Sequence, residues 1–161
     1  MTTLAEFLEA GDRVLEPLDD ASLAGLDPGA GWRLVEQAVP VGNVAIWAHP
    51  GLYRQGFQPT VVLSLARISP AIDLGTLLDR LDDTAATLER WRVRATDRVV
   101  DDRGRLVSDT LGEFRVGPHE LTASTIATVW QDGGATVLRQ VVVTTFTDQV
   151  TTHSDVLRAL G

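Results

Sequence analysis

Three histidines are the residues of this chain best suited to metal binding or proton transfer, and they are far apart in the sequence. His49, His119 and His153 each lie near a predicted turn or at the end of a predicted element, and none has a second histidine three or four residues away. His153 and Asp155 form an H-x-D pair, but no third ligand accompanies them. We therefore predict that His153 is a surface residue, that the chain has no metal site and that it needs no cofactor.

Other patterns that support catalysis are also missing. No serine lies in a G-x-S-x-G elbow, and the absence of cysteine excludes thiolate catalysis and cysteine-ligated zinc. The adjacent carboxylates at 82–83 and 101–102 fall on a predicted helix surface and in a predicted turn. Gly25, Gly29 and Gly31 do not have the G-x-G-x-x-G spacing of a dinucleotide site. We predict no catalytic residue and expect that the protein is not an enzyme.

Large aromatic side chains are the candidates for a binding surface. Residues 50–59 form a predicted loop, rich in proline and glycine, that carries Tyr53 and Phe57. Trp47 and Trp130 lie in predicted strands. Because rings bury much apolar area at a low cost in entropy, we predict that these four residues contact a protein partner or an apolar small molecule. Packing of the rings in the core is the alternative.

Charge and hydropathy restrict the class of partner. The 161 residues carry 14 basic and 22 acidic side chains, and the resulting net charge of −8 repels phosphate backbones and anionic lipids. No stretch approaches the roughly 18 apolar residues of a membrane-spanning helix, and the first residues lack the basic and apolar regions of a signal peptide. We expect no nucleic-acid partner, no membrane span and a cytoplasmic location.

One amphipathic helix is predicted in the middle of the chain, from residue 73 to 91. Its apolar side chains recur at helical spacing along one face, whereas most of its charged side chains lie elsewhere. The apolar face consists of Leu74, Leu77, Leu78, Leu81, Ala85, Leu88 and Trp91. Such a face must be buried on another element, and the strands predicted on either side of the helix provide it.

Seven strands are predicted around this helix, three before it and four after it. They span residues 32–39, 43–49, 60–68, 93–100, 106–116, 120–131 and 136–147. Short turns join the last four, which forces antiparallel hairpins.

Further helices are expected near the two ends of the chain, at 3–16 and within 148–160. The predicted fold is α+β, with an antiparallel sheet of six to seven strands flanked by helices. We divide the chain into an N-terminal helix and loop, residues 1–31, packed on a single domain of residues 32–161.

The order of elements and four segments, 43–47, 59–67, 88–91 and 140–147, resemble the LpqN/LpqT family of actinobacterial proteins within the Mog1/PsbP-like superfamily. The resemblance implies an α/β sandwich, no enzymatic activity, and a binding or accessory role that includes lipid trafficking in the cell envelope for the lipoprotein members. We expect this chain to lack their signal sequence, and it contains no cysteine for a lipobox, so a cytoplasmic relative that binds a protein is expected as readily as a lipid-trafficking one.

Three functional hypotheses follow. The first is a non-enzymatic binding or accessory protein that engages a protein partner or an apolar ligand. The second is a dimer, similar to secretion chaperones, that binds a partner segment. The third is a small cofactor-free enzyme with an apolar pocket on one face of the sheet.

Overall fold

Eight strands and three α-helices make up the part of the chain that the computed structural model describes, which is residues 1–18, 25–35 and 43–161. In chain order, the elements are α1 (Leu4–Ala10), β1 (Val14–Pro17), β2 (Arg33–Leu34), β3 (Asn43–Ala48), a 3-10 helix (Pro50–Leu52), β4 (Thr60–Ser69), α2 (Leu74–Ala85), β5 (Arg92–Val100), β6 (Leu106–Val116), β7 (His119–Asp132), β8 (Ala135–Phe146), a second 3-10 helix (Thr147–Thr152) and α3 (His153–Leu160).

The strands form one open antiparallel sheet in the order β2-β3-β4-β8-β7-β6-β5, and β1 also pairs with β4. One end of β4 pairs with β3 and its other end pairs with β1, where Val14 lies opposite Ser69. The predicted α+β fold with an antiparallel sheet is confirmed. The sheet has eight strands because residues 14–16, predicted as the end of the first helix, form an additional strand together with Pro17.

The first helix is shorter than predicted because Gly11 ends it. A capping box between Thr3 and Glu6 fixes its beginning, and Asp12 then takes a left-handed conformation with φ of 48° that turns the chain into β1. Leu15 of β1 packs against the core. Since β1 joins the sheet, residues 1–31 contribute to it directly, and the division of the chain at residue 31 stays a prediction.

One face of the sheet is covered by α1 and α2. Ile72, Leu77 and Leu78 are buried against side chains from the strands beneath them. The whole cluster consists of Leu8, Ile68, Ile72, Leu77, Leu78, Ala127, Val129 and Leu138. We call this side of the sheet the α2 face.

The opposite side, which we call the α3 face, has its own core. The buried members of this core are Trp47, Val61, Leu63, Val141, Val143, Val156 and Leu160. They come from β3, β4, β8 and α3, so the helix covers the half of the sheet that contains these strands. Val141 and Val143 alternate with Leu138 and Val142, as the period of two in a strand requires.

The central helix ends at Ala85, six residues before the predicted end. The Thr84 hydroxyl donates to the Arg80 carbonyl at 2.7 Å, and the Thr87 hydroxyl donates to the Thr84 carbonyl at 2.7 Å, so side chains compete with the helical backbone here. Leu88 lies beyond the helix and is 40% exposed, so its predicted burial is wrong.

Candidate functional site, an open cleft beside α3

The α3 face is covered over only half its width. The helix α3 packs on β8 and its neighbours, whereas β5, β6 and part of β7 have no helix over this face within the described ranges. Residues directly opposite each other in the sheet share a face, so the pairs Ala95 with Leu111 and Val99 with Val107 all point to the α3 face. The uncovered part of the sheet thus forms an apolar floor beside the helix.

A cleft of about 400 Å³ lies where this floor meets the helix. The sheet supplies its floor, and the end of the second 3-10 helix together with α3 supplies its wall. Its lining consists of Ala95, Thr96, Asp97, Asp109, Leu111, Ser124, Val150, His153, Ser154 and Leu157. We call it the α3-side cleft. It combines aliphatic side chains with two carboxylates, a histidine and hydroxyl groups.

His153 joins α3 to the sheet through both ring nitrogens. Its Nδ1 lies 2.6 Å from the Ser124 Oγ, and its Nε2 lies 2.7 Å from the Thr145 Oγ1. The Thr145 hydroxyl donates its one hydrogen to the Phe146 carbonyl at 2.9 Å, so it must accept from Nε2–H. The proton of the neutral ring is therefore on Nε2, and Nδ1 accepts from the Ser124 hydroxyl.

Burial keeps this histidine neutral. The side chain is only 3% exposed, and desolvation lowers the pKa of His153 from 6.5 to about 4. The prediction that His153 is a surface residue is wrong, because the first turn of α3 directs the ring toward the sheet rather than toward solvent. Asp155, its partner in the H-x-D motif, is exposed and pairs with Arg158 at 3.3 Å.

Two carboxylates lie side by side on the floor of the cleft. Asp97 of β5 and Asp109 of β6 are directly opposite each other in the register and both are exposed. The Asp97 Oδ1 accepts from the Arg98 backbone N–H at 2.9 Å, but within the described ranges neither carboxylate forms an ion pair. Like charges placed opposite each other in an antiparallel pair destabilise it.

The nearby arginines are engaged elsewhere. Arg98 points to the α2 face, where its guanidinium binds Asp79 at 2.8 Å and Asp82 at 2.7 Å. Arg94 pairs with Glu113. The lining of the cleft thus holds two carboxylates, and neither arginine nor lysine is among its described lining residues.

The four predicted binding rings do not form one surface. Trp47 is 6% exposed and belongs to the core of the α3 face, so it is not available for contact. Trp130 lies at the far end of β7 beside Arg105, whose guanidinium is 5.8 Å from the ring centroid. His119 begins β7 near Phe57, so Trp130 is roughly 35 Å away from that ring at about 3.3 Å per residue.

Tyr53 and Phe57 share the predicted loop but differ in environment. Tyr53 is 59% exposed. Phe57 packs edge-on against Phe146 at 5.2 Å between ring centroids, and so belongs to a small apolar cluster at one end of the sheet. Arg54 covers the other side of this cluster, stacked 4.2 Å from the Phe146 ring and paired with Asp148 at 2.8 Å. Binding by these rings stays a prediction, with Tyr53 the most accessible.

Sequence reasoning missed Asp97, Asp109 and Ser124, and it placed His153 at the surface. The only signal for the carboxylate pair was the alternation on two neighbouring strands, which places both side chains on one face once the hairpin turn at 101–104 sets the register. Nothing in the sequence shows that Ser124 and His153, far apart in the chain, meet in space.

Neither a metal centre nor a membrane-spanning helix is found in the described part of the chain. No three His, Asp or Glu side chains there come together in a way that could hold a metal ion. No helix among those residues is long and apolar enough to cross a membrane.

Comparison with solved structures supports the fold. The chain is similar to LpqN, "involved in cell envelope biogenesis of Mycobacterium tuberculosis", with a TM-score of 0.77 and 16% identity over 98% of this chain and 92% of that one. The chain has an LpqN-like fold. At this identity the likeness shows the fold alone, and membership of the Mog1/PsbP-like superfamily stays a prediction.

A more distant similarity is to a protein of unknown function, PA94 from Pseudomonas aeruginosa, described as a putative regulator. The TM-score is 0.51 and the identity 10%, over 81% of this chain and 94% of that one. No protein-family model matches the sequence, and no curated protein matches it significantly.

Proposed function

We propose that this chain is a non-enzymatic binding or accessory protein that engages a protein partner through the α3-side cleft. The observation that carries the proposal is the uncovered half of the α3 face, where β5 and β6 present aliphatic side chains to solvent. Sheet faces of this kind are normally covered by a helix or a second sheet. A partner that docks at the β5 edge of the sheet would cover this half of the face.

The shape of the cleft favours a protein partner over an apolar small molecule. Sites for small molecules enclose most of the ligand surface. The α3-side cleft is bounded by α3 on one side, and among the described residues no wall interrupts it from Asp97 to the sheet edge. A segment of a protein fits such an open groove. The rest of the partner protein would then cover the side of the segment that faces away from the groove.

The chemistry of the cleft supports a non-enzymatic role. Ser124 and His153 have the contact of a nucleophile and a general base, but the imidazole has a pKa of about 4 and is a weak base at neutral pH. Its Nε2 is held by the Thr145 hydroxyl rather than by a carboxylate that would stabilise an imidazolium ion. We interpret the three groups as a buried polar link between α3 and the sheet.

The Ser124–His153 contact is also the observation that favours the second candidate, a small cofactor-free enzyme. A fluorophosphonate probe and a panel of ester substrates separate the two functions. The binding proposal expects neither labelling nor turnover above that of the Ser124→Ala variant. Labelling of Ser124, or turnover that this substitution abolishes, would establish the enzyme instead.

A peptide-display selection tests the binding proposal. Random peptides are selected on the intact protein and then compared on two variants, Ala95→Trp and Val100→Trp. Both positions are exposed on β5, but the first points into the cleft and the second to the α2 face. We expect selected peptides to lose binding to Ala95→Trp and to keep it with Val100→Trp. Peptides that bind both variants equally, or no selectable peptides, would refute the cleft as the binding site.

LpqN, which has a similar fold, is involved in cell envelope biogenesis of Mycobacterium tuberculosis. We propose the same process as the first place to search for the natural partner. The selected peptide sequences would then identify candidate partner segments among envelope proteins.

A further inference from the structure

We infer that the partner segment is an extended, basic strand that pairs with the free edge of β5 and places a lysine or arginine beside Asp97 and Asp109. This inference rests on the proposed function and adds the conformation and charge of the partner. It follows from the sheet edge, the spacing of side chains along β5 and the charge of the cleft.

The outer edge of β5 is open. This strand is the last in the sheet order, and no other strand pairs with its outer side within the described residues. All nine residues of β5 are exposed. An irregularity interrupts its pairing with β6 between Val93 and Ala95, and from Ala95 to Val100 the register is continuous. Apart from the Arg98 N–H, which donates to the Asp97 Oδ1, this regular segment offers its outward backbone N–H and C=O groups to an added strand.

The side chains along this edge have the spacing of a strand. Ala95, Asp97 and Val99 alternate on the cleft side in the order apolar, acidic, apolar. A strand added to β5 would place its own alternate side chains directly beside these three, about 5 Å away. The complementary partner therefore reads apolar, basic, apolar at every second position. The spacing of a helix would not maintain this match along β5.

Charge determines the central residue of that pattern. Asp97 and Asp109 repel each other across the strand pair, and Arg94 and Arg98 are bound to other carboxylates. A cation from outside would relieve the repulsion. Arginine or lysine also suits the site because its aliphatic stem can lie on the neighbouring apolar side chains while its charged end reaches the carboxylates.

Charge also argues against a second copy of this chain at the edge. Each copy has a net charge of −8 and would bring its own pair of aspartates to the contact. The occupant we infer is therefore a different, basic protein.

A synthetic peptide provides the direct test. The probe is a short peptide in which threonine alternates with valine and one central valine is replaced by arginine, labelled with a fluorophore at one end. Two control peptides carry glutamine in place of the arginine, or proline on both sides of it. The first removes the charge, and the second removes backbone donors that a strand needs. Binding is measured by fluorescence anisotropy, and hydrogen exchange reports protection of the β5 amides.

Two double variants of the protein provide the matched comparison. Asp97→Asn with Asp109→Asn removes the two cleft charges, whereas Glu9→Gln with Asp102→Asn removes two exposed charges elsewhere. Circular dichroism confirms that each variant is folded. We expect the cleft variant to weaken binding of the arginine peptide by about tenfold or more, as loss of a charged hydrogen bond does. The control variant should weaken it by less than about twofold.

Each of the remaining outcomes either supports or overturns the inference of strand addition to β5. Protection of the β5 amides by the arginine peptide, and loss of binding with the proline peptide, support strand addition. Equal binding to both double variants, or binding without β5 protection, would overturn the inference. So would failure of the arginine peptide to bind, or a dimer in light scattering whose β5 amides are already protected. The peptide-display selection distinguishes this inference from the proposed function. If the selected peptides depend on the cleft but lack the basic alternating pattern, the proposed function holds and only this inference is refuted.

Discussion

Acid should destabilise this fold through a single buried histidine. His153 is neutral in the folded chain because the ring is buried and its two nitrogens are already matched to the hydroxyls of Ser124 and Thr145. A second ring proton on Nδ1 would face the Ser124 hydroxyl hydrogen, so the ring would have to give up this bond or reverse it. In the unfolded chain the same imidazole is solvated and accepts a proton near pH 6.5.

The sign and size of the effect follow from these two pKa values. Between pH 6.5 and about 4 the unfolded chain binds more protons than the folded chain at this site, so the free energy of unfolding increases with pH in that window. The stabilisation is complete above pH 6.5 and is lost as the pH falls toward 4. A pKa that falls from 6.5 to about 4 corresponds to about 3.5 kcal/mol, at about 1.4 kcal/mol per pH unit.

Urea unfolding followed by tryptophan fluorescence measures this dependence. The wild type and His153→Gln are compared between about pH 7 and pH 4, so that carboxylates titrating in both proteins cancel in the difference. We expect the variant to be less stable at neutral pH and the two curves to converge in acid. The free energy of unfolding of the His119→Gln variant should depend on pH as in the wild type, because this variant retains His153.

Parallel curves for the wild type and His153→Gln would refute this reasoning. A wild type that gains stability relative to the variant in acid would refute it more directly. It would mean that the ring is protonated in the folded chain and stabilised by Asp97 and Asp109, which line the same cleft.

Three further predictions concern the core and the helix α2. Leu77→Ala should cost about 2–5 kcal/mol in urea unfolding because the Leu77 side chain of α2 is fully buried, whereas Leu88→Ala should change stability little. Gly112→Ala should cost about 1–3 kcal/mol and shift the tryptophan emission, since a Cβ at Gly112 would lie 2.0 Å from the Trp91 ring. Arg98→Gln should cost less than about 1 kcal/mol, and less in high salt, because its two ion pairs are partly exposed; a larger loss would indicate that they hold α2 on the sheet.

The sheet was predictable from the sequence because its signals are local. Turn residues mark the junctions after the central helix, as at residues 101–104, where Asp101 accepts backbone N–H groups from Arg103 and Arg105 and Gly104 takes a φ of 75°. Once such turns fix the hairpins, the order and direction of the last four strands follow. The strand β1 was not predictable, because Val14 and Leu15 continue the apolar pattern of α1 and only pairing with β4 makes them a strand.

The site was less predictable because its members meet only after folding. The alternation on β6 and β7 shows semi-polar residues on both faces, but it does not tell which face a helix covers. That depends on where α3 packs, and α3 crosses β8 rather than β6. Which of the predicted rings is accessible depends on the same packing. Trp47 lies on the covered part of the α3 face, whereas Asp97 lies on the uncovered part.

The placement of charge distinguishes the uncovered surface from an ordinary solvated one. On the α2 face, Arg98 meets two carboxylates of α2, so neighbouring charges there are matched. On the α3 face, Asp97 and Asp109 are opposed to each other between pairs of aliphatic side chains, an arrangement that costs stability in the isolated chain. Solvent exposure alone does not require two aspartates here, since asparagine is equally compatible with exposure and would not cause repulsion. A cation from a partner would remove this repulsion, so the free energy released on binding would include it. For this reason we assign the recognition of a basic segment to this part of the sheet.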